Sequence, residues 1–355
     1  MKARDMWREA GRNLTSGTTR AVWYFLAFVL IIGILAAAEI SQIAALSSAA
    51  TNYRNVGASV TVLDAPGQID GNTCEALTTV PGINKAGAVR QGGDRLALTV
   101  LPGAPLPMAY VTPNFPQLLD ATTDRGAGVI FPGQLTDSLP LEVGDTVPTR
   151  EGDVRVAGTF AYPDDGRVSG FGYTALVPAS ANGVFDQCWI EVWPESAEIS
   201  NMVNLSLSRN PDAAPPTTSK LNSTLGSVFD GQTQFTSRVT RLVPAIAAVA
   251  GLALGYLAVH SRRLEAASNL HVGVTRRDQG GLFTIETLAW LLPAAILVMS
   301  GGLISIAESP IIDPDTAANH LLLLVVCGVS GVLIGAAVAW SRVRESQLFD
   351  YFKHR

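Results

Sequence analysis

Apolar residues in this chain crowd into runs near its two ends and thin out through its middle. A helix needs about 20 mostly apolar residues to cross the roughly 30 Å hydrocarbon core of a bilayer. Four stretches reach that length. Ala21 to Ala38 carries no charge, and its helix is expected to continue past Glu39 to about Leu46. Leu242 to Val259, Thr287 to Ala307 and Leu321 to Ser341 are the other three. Residues 47–238 contain no comparable run. Their pattern is a short alternation, so Gly57–Leu63, Arg95–Leu101 and Asp153–Phe160 read as strands. Pro81-Gly82, Pro132-Gly133, Glu151-Gly152-Asp153 and Pro163-Asp164-Asp165-Gly166 read as turns between them. Asp70 to Val80 reads as a helix. From Ser219 onward, Leu221, Leu225, Val228, Phe229 and Phe235 recur at roughly helical spacing, which predicts a stalk into the second span, interrupted near Asp230-Gly231-Gln232.

The expected fold is an α-helical membrane protein of four transmembrane helices, with an α+β extracytoplasmic domain inserted between helices 1 and 2. The expected segments are a basic, amphipathic cytoplasmic leader (1–20), helix 1 (21–46), the extracytoplasmic domain (47–218) and the stalk with helix 2 (219–260). A cytoplasmic coupling loop (261–280), helix 3 (281–307), a short external loop (308–319), helix 4 (320–341) and a cytoplasmic tail (342–355) complete the chain. A cleaved signal peptide is the alternative for span one, with Ala36-Ala37-Ala38 as its cleavage site. The apolar region is longer than such signals use, and the basic leader is long.

Charge orients these spans. Lys2, Arg4, Arg8, Arg12 and Arg20 precede the first, Arg262, Arg263, Arg276 and Arg277 lie between the second and third, and Arg342, Arg344, Lys353 and Arg355 follow the fourth. The loop between spans three and four has Glu308, Asp313 and Asp315 and no Lys or Arg. Positive loops stay inside, so both termini are expected in the cytoplasm of a multi-pass cell-membrane protein and residues 47–238 outside it. Trp23, Trp290 and Trp340 fall near the expected cytoplasmic ends, where an aromatic belt would place them. The chain is 48% hydrophobic and 15% charged, against about 25% charged for a soluble domain. The net charge of −5 suggests no nucleic-acid partner. Residues 47–238 carry 11 basic and 19 acidic residues, which reads as a solvated acidic surface with a secondary reading as an attractor of cations. Cys74 and Cys188 are the two cysteines of that stretch, and Cys327 lies in span four. An oxidising exterior makes a Cys74–Cys188 disulfide the expectation and two unpaired buried thiols the alternative.

Familiar catalytic patterns are missing from the sequence. It has no Gly-x-x-x-x-Gly-Lys-Ser/Thr loop and no Gly-x-Ser-x-Gly elbow. His260, His271, His320 and His354 are scattered without zinc-like spacing, so no metal site is expected. Asp164, Asp165 and Asp186 read as a polar hairpin turn, with a cation site as the alternative. Glu39 lies in the outer third of span one, and an ionisable group within a membrane is a functional candidate; the competing reading is that it already reaches the outer interface. Glu286 reads as an anchor of span three at the inner boundary. Gly251-x-x-x-Gly255 and Gly331-x-x-x-Gly335 have the spacing of close helix contacts, including those of a dimer. The loop between spans two and three is too polar for lipid and too short for a domain. Leu270, Val272 and Val274 are apolar within it and predict a docking edge, with Gly273 turning the chain toward span three. The plain alternative is a solvated loop that only fixes topology.

The leader Met6-Trp7-Arg8-Glu9-Ala10, the long insert after span one and the three further spans resemble the MacB/FtsX-type ABC transporter permeases. The loop resembles their Arg-Arg-x-Glu stretch, followed by Leu-x-x-Gly-x-Thr-Arg-Arg-Asp and a Glu opening span three. Here those positions are Arg262, Arg263, Glu265, Leu270, Gly273, Thr275, Arg276, Arg277, Asp278 and Glu286. The family usually has Leu-Gly or Ala-Leu-Gly before Thr-Arg-Arg, whereas this chain has His271-Val272-Gly273. Leu141 to Val147 with Val154 to Phe160 resembles the family's small β module. The resemblance implies a permease subunit that is not itself an enzyme and carries no cofactor. A separate cytoplasmic ABC ATPase, holding ATP and Mg, would bind residues 270–278, and a second permease chain, identical or homologous, would complete the complex in the lipid bilayer. ATP-driven motion would then reach the outer domain, for export or extraction of a peptide, antibiotic, lipid or lipoprotein. The alternative implied role is FtsX-like control of an extracytoplasmic partner such as a cell-wall hydrolase. A membrane sensor or scaffold without an ATPase is the third reading.

Overall fold

The computed structural model describes residues 3–344 except 125, 140 and 209–213; Lys2, His354 and the tail basics Lys353 and Arg355 lie outside the described residues. In chain order the elements are α1 (Ala3–Thr15), α2 (Ala21–Asn55), β1 (Val60–Asp70), α3 (Gly71–Ala76), β2 (Ile83–Leu96), β3 (Leu106–Val111), β4 (Thr122–Thr123) and β5 (Val129–Pro132). They continue with α4 (Gly133–Ser138), β6 (Thr146–Thr149), β7 (Gly152–Phe160), β8 (Ala175–Pro178), β9 (Val184–Val192), α5 (Ala197–Asn201), β10 (Thr217–Lys220) and α6 (Gly231–Thr236). The last four are α7 (Val243–His260), α8 (Arg263–His271), α9 (Arg276–Ala307) and α10 (Pro314–Arg342). The chain divides into two units, Met1–Ala49 with Gly231–Arg355, and Ala50–Asp230.

In the first unit, α2, the stretch Val239–His260 containing α7, α9 and α10 are long and apolar enough to cross a bilayer, which marks the chain as a membrane protein. Local sequence sets their ends. Asp313 caps α10 by accepting from the Thr316 amide, with Pro314 at the first helical position. The first helix runs on from Leu46 to Asn55, further than its apolar run required. The core of this unit gathers Phe28, Ile32, Leu254, Trp290, Leu291, Leu321 and Leu324 from four helices. Trp290 is buried there against Tyr24 and Phe28, while Trp23 is exposed.

The second unit is α+β around a mixed ten-stranded sheet ordered β10-β1-β9-β2-β3-β8-β5-β7-β4, with β6 paired to β7. The pairs β3–β8 and β5–β7 are parallel; the others are antiparallel. The central strands are buried on both faces. Side chains alternate along β9, so Trp189 joins the core with Val62, Phe115 and Phe171, while Cys188 and Ile190 join that with Leu63, Ile69 and Val203. Farther along the sheet, Leu98, Phe131, Val147 and Val156 form a third core. Asp70 caps α3 through the Thr73 amide. That helix sets Cys74 against β9, where Cys74 and Cys188 are joined in a disulfide with their Cα atoms 5.9 Å apart.

Two expectations change. The segment read as a strand over Arg95–Leu101 is split: β2 ends at Leu96, and the chain turns after a single bridge from Leu98 to Thr149. The expected helical stalk from Ser219 is absent as a continuous helix. Thr217–Lys220 form an edge strand on β1, Leu221 is buried in the sheet core, and helix resumes only at Gly231. Phe229 instead packs its ring 5.4 Å from Tyr53 and 5.6 Å from Trp193.

Candidate functional site

The segment after α7 is short, polar and tightly organised. Gly273 takes φ +97°, a left-handed conformation that favours glycine, and ends α8 with its amide donating to the Leu270 carbonyl. Thr275 then caps α9. Its hydroxyl accepts from the Asp278 amide and donates to the Asp278 carboxylate at 2.8 Å. Thr275-Arg276-Arg277-Asp278 is therefore a helix-start signal in the manner of a capping box. Arg276 stretches back over the Trp340 ring, 5.1 Å from its centroid, and donates to the Trp340 carbonyl at the end of α10.

Beneath the loop, Ala266 and Ala267 are buried with Val259, Phe283, Ala339 and Val343, and Leu270 packs against the same cluster. Leu270 is thus half-buried rather than displayed, as is Val274. His271, Gly273, Thr275 and Arg277 are exposed, and Val272 is 81% exposed. The apolar edge expected from three alternating residues is reduced to Val272 on a supported platform, because α8 turns Leu270 inward.

An ionic network fixes that platform. Arg262, 8% exposed, binds Glu265 through two hydrogen bonds of 3.0 and 2.7 Å and also pairs with Glu286. Glu286, in α9, accepts from Asn13 of α1 at 2.7 Å. Three separate elements meet at one buried carboxylate, so Glu286 anchors more than its own helix. Gln279 lies close by in sequence, 2% exposed, and neither atom of its amide has a hydrogen-bond partner among the described residues.

A second polar cluster sits at the opposite end of the same helices. Glu39 is 3% exposed and accepts from Arg238 at 2.6 Å. His320 Nδ1 is 3.5 Å from that carboxylate and 3.2 Å from the guanidinium. The Arg238 guanidinium lies 3.8 Å from the Phe235 ring centroid. Glu39 is thus buried among these partners within the helical unit. Arg238 and His320 carried no sequence signal, since they stand 199 and 281 residues away; a basic residue just ahead of span two was the available hint.

The four spaced glycines bring α7 and α10 of one chain together. A Cβ on Gly255 would stand 1.9 Å from the Val332 carbonyl oxygen, and one on Gly335 would stand 2.0 Å from that of Leu252. Gly251 and Gly331 meet Gly328 and Ala248 at 2.2 Å in the same way. Their closeness is used within the chain rather than left for a dimer. The acidic residues Asp165 and Asp186 are engaged internally: Asp165 pairs with Arg167 at 3.2 Å through one oxygen, and Asp186 accepts from the Gly67 and Gln91 amides. Among the described residues no group of three His, Cys, Asp or Glu could hold a metal ion.

No protein-family model and no curated protein sequence matches the chain. Similar solved structures include the periplasmic region of MacB from Actinobacillus actinomycetemcomitans, at 8% identity over 53% of this chain and 97% of that one, with a TM-score of 0.35. A permease-protein domain from Porphyromonas gingivalis is similar at 12% identity over 47% and 92%, with a TM-score of 0.34. The extracellular domain of the ABC-type transporter YknZ from Gram-positive bacteria is similar at 11% identity over 41% and 88%, with a TM-score of 0.28. By its four apolar helices and its loop motif, the chain resembles the MacB/FtsX-type ABC transporter permeases.

Proposed function

We propose that the chain is the membrane permease subunit of an ABC transporter complex, with both termini cytoplasmic and residues 50–230 outside the membrane between spans one and two. A separate cytoplasmic ATPase docks on the loop between α8 and α9, and its ATP-driven motion is passed to the outer domain to move a peptide, lipid, antibiotic or lipoprotein. A second permease chain completes the assembly.

The observation that carries this reading is the loop itself: Val272 projects into solvent from a platform braced by Arg262, Glu286 and Asn13. A loop that only set topology would need basic residues. It would not need buried ion pairs, a glycine-terminated helix and a capped helix start converging on one exposed apolar side chain. Rigid placement of an apolar anchor lowers the entropy lost when a partner binds.

Val272→Asp tests the docking role. The variant is expected to insert in the membrane at wild-type level and to lose its ATPase during purification. Retained ATPase would contradict the assignment. The companion change Leu270→Asp is a poorer probe, because Leu270 also supports the cluster under α8.

A further inference from the structure

A cavity of about 440 Å³ opens where α7 and α10 end side by side. Arg263, Arg342 and Arg344 line it with His260 and Tyr256. Its remaining wall is apolar, with Ala339 and Val343 buried. The Arg342 guanidinium lies 5.8 Å from the Tyr256 ring centroid, and His260 stacks on the same ring at 5.1 Å. Arg263 Nη1 sits 2.9 Å from His260 Nε2. A guanidinium can only donate, so Nε2 accepts and the imidazole is neutral in this arrangement. None of the described residues lining the cavity is a carboxylate. Glu265 and Glu286 are already engaged by Arg262. Two helix C-termini contribute roughly half a negative charge each, which the guanidinium charges of Arg342 and Arg344 outweigh without counting Arg263.

Position narrows the choice of anion. The cavity begins within a turn of the last apolar residues of two membrane-crossing helices, and α7 exposes Leu252 and Leu257 just before it. A phosphate held there would stand at headgroup depth, with exposed leucine surface beside it for acyl chains. A basic pocket between spans at a membrane surface suits an anionic lipid headgroup.

We propose that this cavity binds the phosphate of an anionic phospholipid. Arg342 and Arg344 supply charge to the phosphate, and Tyr256 orients Arg342 across the mouth. The site is distinct from the Val272 docking edge, and lipid binding can be read without any ATPase, so failure of either assignment leaves the other standing.

The test uses the full chain in nanodiscs of phosphatidylglycerol or phosphatidylcholine, with native mass spectrometry to count retained lipid. The wild type is expected to retain phosphatidylglycerol in preference to phosphatidylcholine. Arg342→Gln with Arg344→Gln should weaken phosphatidylglycerol binding by about thirtyfold, since each cation at a membrane surface is worth about 1 kcal/mol. Arg342→Lys with Arg344→Lys should keep most of the affinity. Equal retention of the two lipids by the wild type, or undiminished binding in the glutamine variant, would overturn the proposal. Displacement of phosphatidylglycerol by millimolar inorganic phosphate would also overturn it, by making the site one for free anions.

Discussion

The Glu39 carboxylate accepts a hydrogen bond of 2.6 Å from Arg238, and the side chains of both are about nine-tenths buried. Neither charge would be tolerated alone among apolar helices. Removing one partner of a buried pair leaves an uncompensated charge and costs about 3–5 kcal/mol, whereas replacing both with apolar residues is often neutral. Arg238→Leu is therefore expected to lower the thermal midpoint sharply in detergent, and Glu39→Leu with Arg238→Leu to recover most of it. If the double variant is as unstable as the single one, the pair does more than balance charge.

The glycine contacts between α7 and α10 separate two kinds of substitution. Gly255→Ala puts a methyl group into the Val332 carbonyl and should destabilise by at least about 1–3 kcal/mol. Gly301→Ala meets nothing within 4 Å in α9 and should stabilise by up to about 1 kcal/mol through helix propensity. Fluorescence-monitored unfolding of both variants checks this, and similar losses at the two sites would contradict the close contact.

Cys74 and Cys188 close a loop across 114 positions of sequence. On the chain-entropy account, a loop of that size contributes about 4–5 kcal/mol. Cys188→Ser should therefore lower the unfolding midpoint, and a reductant should lower the wild type but not the variant. Alkylation of both thiols in unreduced protein would show that the bridge is absent.

Hydrogen bonds from Arg155, followed by the Gly126 amide, hold the Asp124 carboxyl below the usual aspartate range. A depressed folded-state pKa gives stability that is complete above about pH 4, the unfolded value. That stability disappears as pH falls through the lower folded value. Asp124→Asn should lower the neutral plateau by the pair's contribution and flatten the acid limb of a stability-against-pH curve below about pH 4, so that variant and wild type converge in acid. An acid limb identical to that of the wild type would refute the contribution.

The spans were legible because the bilayer demands long uninterrupted apolar runs, and the disulfide because residues 47–238 hold just two cysteines to pair. The stalk was misread because Leu221 and Phe229 serve a sheet core and an aromatic cluster, burial demands that mimic helical spacing over a short window. Alternation within 270–274 marked the loop's apolar residues but not which of them is exposed, since only the path of α8 shows that Leu270 points inward and Val272 outward. The Arg238 and His320 contacts with Glu39 lay beyond any local pattern. They depend on which helices become neighbours, and charge alone does not choose among several basic residues.

Helices that touch backbone to backbone at Gly251, Gly255, Gly331 and Gly335 have no side-chain layer between them to act as a bearing. They cannot roll or slide against each other without prising the pair apart. Mechanically the bundle then has three members rather than four: a doubled beam of α7 and α10, with α2 and α9 set against it through side chains.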